Sequence, residues 1–194
     1  MQTQKALSME QIREFVIAGH GNLEKVKQML AENPELLNAP YPWSEKDSET
    51  AIQAAAQVGS FGVAEFLLGK GAPLEICTAA MLGRKEEVER LLKEDHHRIN
   101  ATGAHRIPLL PYAVWSGNLE LVQLLYQRGA KEGVDLALHN AVSRDDYTMV
   151  HWLLENAKPD VNSKNFQGKT PLSVSIEHKF DSVAQLLREH NASE

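Results

Sequence analysis

Residues 21–30 read G-N-L-E-K-V-K-Q-M-L, and the chain repeats this pattern in five further copies. The later copies read G-S-F-G-V-A-E-F-L-L from Gly59, G-R-K-E-E-V-E-R-L-L from Gly83, G-N-L-E-L-V-Q-L-L from Gly117, D-Y-T-M-V-H-W-L-L from Asp146 and F-D-S-V-A-Q-L-L from Phe180. Apolar residues follow the turn residue of each copy at helical spacing, which predicts a helix with one buried face. One inward-facing position recurs as Val26, Ala64, Val88, Val122, Val150 and Ala184, at intervals of 38, 24, 34, 28 and 34 residues. Repetition at this period indicates stacked helix pairs and an extended surface rather than a single pocket.

Composition and charge exclude several classes of function. The chain has 194 residues, 43% of them hydrophobic, with a formal charge of −6. A nucleic-acid partner is not expected, because phosphate binding needs a basic stripe. No apolar run reaches the roughly 18 residues of a membrane span, and the polar start of the chain predicts no secretory leader. With Cys77 as the single cysteine, these features predict a cytoplasmic protein without disulfides.

The first helix pair carries local start and stop signals. Ser8 followed by Gln11 three residues later predicts a capping box, so the first helix is expected to begin at Met9. Pro34 is expected to stop the second helix near Asn33.

The last two copies carry a motif that resembles the ankyrin repeat. Residues 165–172 read N-F-Q-G-K-T-P-L, which is similar to the family pattern D-x-x-G-x-T-P-L. Gly168 suits a turn with positive φ, Thr170 can cap a helix, and Pro171 suits its first position. In the fifth copy, residues 138–141 read L-H-N-A and keep the family's L-H-x-A. The resemblance therefore implies a structural, turn-bonding role for His139.

The resemblance implies an all-α ankyrin-repeat solenoid that forms a single domain over residues 1–194. Its six repeats are predicted at about 8–39, 40–72, 73–100, 101–130, 131–161 and 162–194. Alignment to the family also predicts fingers of unequal length between the repeats. Residues 73–75 leave no room for a finger, residues 131–135 leave a stub, and residues 38–50 form an enlarged first finger.

Repeats one to four further resemble a group of small bacterial ankyrin-repeat proteins, for which no biochemical activity is implied. The phrases that carry this resemblance are F-V-I-A-G-H-G-N-L-E at 15–24, A-E-F-L-L-G-K-G-A at 64–72, T-A-A-M-L-G at 78–83 and G-A-H-R-I-P-L-L at 103–110.

The resemblance places two residues of each repeat, those before the inter-helix glycine, on the concave groove. The middle repeats are thereby expected to present an apolar centre with a polar rim, the anatomy of a protein-binding patch. Trp115 is the expected anchor. Together with two finger residues, the predicted partner-binding set is Trp43, Val58, Met81, Leu82, Trp115, Arg144, Phe166 and His178. An alternative stays open: Tyr41 or Trp43 could fold over Met81 and Leu82, which would then be core residues.

The sequence offers little catalytic or metal-binding chemistry. It lacks the serine-hydrolase, phosphate-loop and H-E-x-x-H motifs. Cys77 follows Ile76 at the start of an inner helix and is expected to be a packed apolar residue. His96 and His97 follow Asp95 in what is expected to be a strand-like loop, where adjacent side chains point to opposite sides. No catalytic residue, metal or cofactor is predicted.

The sequence therefore predicts a non-enzymatic, monomeric interaction module that binds a protein or peptide in its concave groove. Fingers at 41–48, 104–106 and 166–169 would frame the bound segment. An alternative is a protein that binds a small ligand or a metal with its loop histidines, between the long fingers. A third hypothesis is a homo-oligomer that uses the apolar patch on itself.

Overall fold

A computed structural model describes residues 7–194 as six consecutive helix pairs joined by turns and fingers. The helices of this part of the chain are α1 Met9–Gly19, α2 Leu23–Glu32, α3 Ala51–Gln57, α4 Phe61–Gly69, α5 Ile76–Met81, α6 Lys85–Glu94, α7 Leu109–Trp115, α8 Leu119–Gln127, α9 Val134–Ser143, α10 Tyr147–Asn156, α11 Pro171–Glu177 and α12 Asp181–Glu189. Two short strands, β1 Tyr41–Ser44 and β2 Asp47–Glu49, and the 3-10 helices Pro34–Asn38, His96–Asn100 and Ala104–Arg106 complete the secondary structure.

Local signals set the helix ends where the sequence predicts them. The Ser8 side chain accepts from the Gln11 amide, and the Gln11 side chain accepts from the Ser8 amide, so the predicted capping box is confirmed. Helix α2 ends before Pro34. Thr170 caps α11 and Pro171 occupies its first turn, as the motif predicts.

The helices form two layers around a continuous core. The odd-numbered helices stack on one another as an inner layer, and they contact each other far more closely than the outer, even-numbered helices do. A stack that is tighter on one side curves toward that side, so the inner layer lines the concave surface. Each recurring inward position is buried in this core: Val26, Ala64, Val88, Val122, Val150 and Ala184.

The fingers differ in length, as expected. The first finger, residues 38–50, is the antiparallel hairpin β1–β2, which pairs Tyr41 with Glu49 and contains an irregularity between Pro42 and Ser44. The second finger is the 3-10 helix Ala104–Arg106, and the third is the irregular loop 158–169. Residues 70–75 join α4 to α5 without a finger. The stub before α9 is shorter than predicted, because α9 already begins at Val134.

The missing finger brings two distant parts of the chain together. Because no finger stands above α5, the first and second fingers meet directly across the gap. The His105 backbone amide donates to Asp47 Oδ1 at 3.3 Å, and His105 Nδ1 lies 2.6 Å from Asp47 Oδ2. His105 adopts a left-handed backbone, with φ of 54° and ψ of 24°. Any residue other than glycine is strained in this backbone conformation, and the contacts with Asp47 offset the energetic cost of the strain.

Candidate functional site

Most of the large exposed apolar side chains belong to the inner helices and the fingers. In the described part of the chain, the large exposed apolar residues of the inner helices and fingers are Met9, Ile17, Trp43, Val58, Phe166 and Ile176. Tyr147 is their counterpart on an outer helix. Phe166, at the tip of the third finger, is 96% exposed, and Val58, at the end of α3, is 38% exposed. Exposed aromatic and aliphatic groups on one side of a protein are a marker of an interaction surface.

The polar end of the predicted groove is also open to solvent. Arg144 and His178 are exposed at the ends of α9 and α11. The His178 ring stacks on Phe180 with 5.5 Å between ring centroids. The Arg144 guanidinium lies against the Gly117 turn of the preceding repeat. Both side chains are therefore accessible to solvent at positions that the sequence analysis assigns to the groove.

The prediction that Met81 contacts a partner is wrong. Its side chain is 0% exposed, and every residue of α5 is buried. The six-residue helix lies between α3 and α7, and with no finger above it these neighbours enclose it. Leu82 caps α5 and is half-buried, so it keeps an accessible side.

Trp115 packs against the second repeat, and the aromatic residues of the first finger do not cover it. Its indole Nε1 donates to the backbone oxygen of Gln57 at 3.0 Å. The ring lies on Gly59, where an added Cβ would come within 2.8 Å of Trp115 Cδ2 and where φ is +68°. Trp43 instead lies edge-on to Tyr41, with 4.8 Å between ring centroids. Trp115 is therefore half-buried and attached to the second repeat, although it belongs to the fourth.

A carboxylate–histidine cluster lies beside the groove, at the joint of the first two fingers. It comprises Glu49, Trp43, Asp47, His20 and His105. Glu49 is 0% exposed, and its Oε2 accepts from the Trp43 indole at 2.8 Å. His20 Nε2 lies 3.7 Å from Oε1, and His105 Nε2 lies 3.6 Å from Oε2. Within the described residues, Glu49 Oε1 has no hydrogen-bond partner.

Burial has the largest effect on the ionisation of Glu49. It raises the pKa of Glu49, because the charged carboxylate loses its water. The hydrogen bond from Trp43 and the nearby charges of His20 and His105 act in the opposite direction, and Asp47 adds to the effect of burial. The sequence analysis missed the cluster, since its members come from α1, the first finger and the second finger. The one available signal was the absent finger, which leaves its neighbours free to meet.

The loop histidines are arranged differently from the strand-like loop that the sequence predicts. His96 and His97 begin a 3-10 helix rather than a strand-like loop, and their ring centroids are only 4.0 Å apart. His105, which is close to them in sequence, contacts Asp47 instead. Over residues 7–194, no group of three or more histidine, cysteine or acidic side chains has the arrangement of a metal site.

Cys77 and His139 lie in buried surroundings that suit a structural role. Cys77 is buried, and burial raises the pKa of its thiol to about 12, which leaves almost no reactive thiolate at neutral pH. His139 Nε2 lies 3.1 Å from the backbone oxygen of Ser163, in agreement with the predicted turn-bonding role. Burial lowers the pKa of His139, so the ring is neutral at pH 7.

One of the gaps in which the alternative places a small ligand, that between the first and second fingers, is closed by the contact of His105 with Asp47. A recess of about 490 Å³ does occur, but on the outer side of the stack, between α2 and α4. Leu30, Phe66 and Lys70 line it, and it contains no histidine.

Comparison with known proteins agrees with this architecture. A family model described as ankyrin repeats, in three copies, matches residues 112–194. The structure is an all-α ankyrin-repeat solenoid. Residues before 112 lie outside the matched range and continue the same succession of helix pairs.

The chain is also similar to an ankyrin repeat protein of Fowlpox virus (strain NVSL). The two are 32% identical over 125 residues, which cover 61% of this chain and 28% of the viral protein. The similarity therefore concerns the repeats and not the whole viral protein. Among the described residues, none of the solenoid's helices combines the length and apolar character needed to cross a membrane.

Proposed function

We propose that this ankyrin-repeat solenoid is a non-enzymatic, monomeric interaction module that holds a protein or peptide segment along its concave groove. Ankyrin repeats generally mediate protein–protein contacts, and the protein has the composition of a cytoplasmic chain with one buried cysteine. The observation that carries the proposal is the position of the exposed apolar groups, which lie on the inner helices and fingers and include the almost fully exposed Phe166.

The proposed contact residues have different roles along the groove. The exposed face of Trp43, together with Val58 and the accessible side of Leu82, offers apolar contact in the N-terminal half. In the C-terminal half, Arg144 and His178 are exposed donors that suit an acidic or carbonyl-rich stretch of the partner.

Phe166 and Trp115 complete the proposed surface. Phe166 stands free at a finger tip and can enter an apolar pocket of a partner. Trp115 offers only the ring face that is not held against Gly59, so it contributes less than an anchor would.

The proposal is tested with a displayed library of random peptides as the probe, in the presence of EDTA so that metals play no part. Peptides that bind the wild-type protein are re-measured against Phe166→Ala, Val58→Asp and Arg144→Glu. Tyr147→Ala is the matched control, because Tyr147 is an exposed aromatic residue on the opposite side. Each groove variant is expected to weaken binding about tenfold or more, which corresponds to roughly 1.4 kcal/mol, and the control to leave it unchanged. Binding that survives all three groove variants, or that depends on Tyr147, would contradict the proposed surface.

A further inference from the structure

We propose that the first two fingers are locked together by proton uptake in the carboxylate–histidine cluster, so that this wall of the groove closes more tightly at acidic pH. The proposal rests on the hydrogen-bond geometry of the cluster and does not depend on the identity of a partner.

Each histidine of the cluster has one ring nitrogen fixed as a donor. His20 Nδ1 lies 3.2 Å from the Val16 backbone oxygen, which can only accept, so the proton is on Nδ1. His105 Nδ1 lies 2.6 Å from Asp47 Oδ2, and an ionised carboxylate likewise only accepts. In a neutral imidazole the other nitrogen then carries a lone pair and no proton.

Both remaining nitrogens face Glu49. The Nε2 atoms of His20 and His105 lie 3.7 and 3.6 Å from the two oxygens of this carboxylate. Lone pairs directed at an anion repel it, and Glu49 Oε1 is left without a donor. One added proton relieves one of these two contacts, either on an imidazole Nε2 that then donates to Glu49, or on Glu49 itself, which then donates to an imidazole.

No permanently charged cation neutralises Glu49 in place of the added proton. The ionisable groups that face Glu49 are His20 from α1, Asp47 on its own strand and His105 from the second finger. Tyr112 of α7 is the other titratable neighbour, and burial raises the pKa of its phenol, so it stays neutral. Within the described chain, neither acid of the cluster forms an ion pair with a lysine or an arginine. The charge of Glu49 is therefore balanced only by groups that gain and lose protons.

The sign of the pH effect follows from this proton count. When the first finger opens, Glu49 reaches water and no longer needs the added proton. The docked state then binds more protons than the open state, so docking strengthens as the pH falls and weakens as it rises. Each pH unit by which docking raises the cluster's affinity for a proton changes the opening equilibrium about tenfold.

The test uses the full chain in EDTA and nuclear magnetic resonance. Exchange of the Trp43 indole proton with water reports opening, because this proton is bonded to Glu49. The wild-type exchange rate, corrected for the intrinsic effect of pH, is expected to fall roughly tenfold between pH 8 and pH 5.5. In Glu49→Gln the pH dependence of the rate is expected to shrink, since the side-chain amide supplies a permanent donor; the contact of His105 with Asp47 remains. Glu45→Gln, an exposed change at the tip of the same hairpin, is the matched control and should behave as wild type.

A second measurement on the wild-type protein does not depend on how the variants fold. Ring nitrogen chemical shifts at pH 8 are expected to place the proton of neutral His20 and His105 on Nδ1. At pH 5.5 the added proton is expected to show either as a ring with both nitrogens protonated or as a protonated acid in the carboxyl carbon shift of Glu49. The proposal is overturned if Glu49→Gln keeps the wild-type pH dependence. It is equally overturned if both neutral rings carry their proton on Nε2.

Discussion

At the scale of single residues, a side chain at a position typical of partner binding can instead stabilise the fold. Trp115 precedes the inter-helix glycine, which is the groove position in this fold, and tryptophan is common at binding sites. Its indole nevertheless donates to Gln57 and lies on Gly59, both in the second repeat. The residue therefore contributes mainly to stability, and only its free face is available to a partner.

We expect Trp115→Ala to lower the free energy of unfolding by roughly 2–3 kcal/mol, less than for a fully buried aromatic residue, because part of the ring remains in solvent. Trp115→Phe removes the hydrogen bond and keeps most of the contact, so its expected cost is about 1 kcal/mol. Urea denaturation monitored by circular dichroism measures both. An unchanged midpoint for Trp115→Ala, with weakened peptide binding, would return the residue to the role of anchor.

His139 provides a pH-dependent prediction at the same scale. Burial lowers its pKa, so the unfolded chain takes up a proton that the folded protein does not, and the folded state loses stability as the pH falls below about 6.5. His139→Leu is expected to cost about 1–3 kcal/mol at pH 8, because the Ser163 oxygen loses its partner. The difference in the free energy of unfolding between His139→Leu and wild type should become smaller toward pH 5.5, as measured by urea denaturation. If this difference in free energy stays constant with pH, the pKa of His139 is not lowered in the folded state. The control is His151→Gln, a substitution at an exposed position.

At the scale of helices and fingers, the sequence predicted what local chemistry determines. Capping residues set the starts of α1 and α11, and apolar spacing set the buried faces of the outer helices. The unequal fingers followed from the family alignment. The joint between the fingers could not be predicted, since His105 and Asp47 are 58 positions apart and neither carries a local signal for the other. Met81 was misplaced for a related reason: a position that faces the groove in a regular repeat is enclosed when its helix is short and has no finger.

The outer helix α6 offers a direct check of packing. Leu91 is 6% exposed and lies in the core, so Leu91→Ala should open a cavity and cost about 2–5 kcal/mol. Lys93→Ala, at an exposed position of the same helix, is the matched control and should change stability by less than about 0.5 kcal/mol. Denaturation in urea measures both variants, and a loss below about 0.5 kcal/mol for Leu91→Ala would mean that this face of α6 is not packed.

At the scale of the whole molecule, the solenoid departs from simple nearest-neighbour stacking. In a regular repeat protein each unit contacts only the next one, and stability is close to a sum of unit and interface contributions. Here the fourth repeat contacts the second twice, through Trp115 on Gly59 and through His105 on Asp47. These contacts enclose α5, the inner helix of the third repeat, between α3 and α7, so repeats two to four are expected to open as one cooperative unit.

Native-state hydrogen exchange tests this coupling. In Trp115→Ala, amide protection is expected to fall in α3 by about as much as in α7, roughly 30-fold for a loss of 2 kcal/mol, although α5 separates the two helices. Leu172→Ala removes a side chain that is 3% exposed in α11, which packs mainly against α9 and α12, and its effect should stay within α9 to α12. If Trp115→Ala lowers protection in α7 and α5 but leaves α3 unchanged, the contact with Gly59 does not couple the repeats. Suppose that Trp115→Ala lowers protection across the third repeat while the effect of Leu172→Ala stays local. Cooperativity of repeats two to four would then come from the contacts that the missing finger allows, and not from the repeat fold in general.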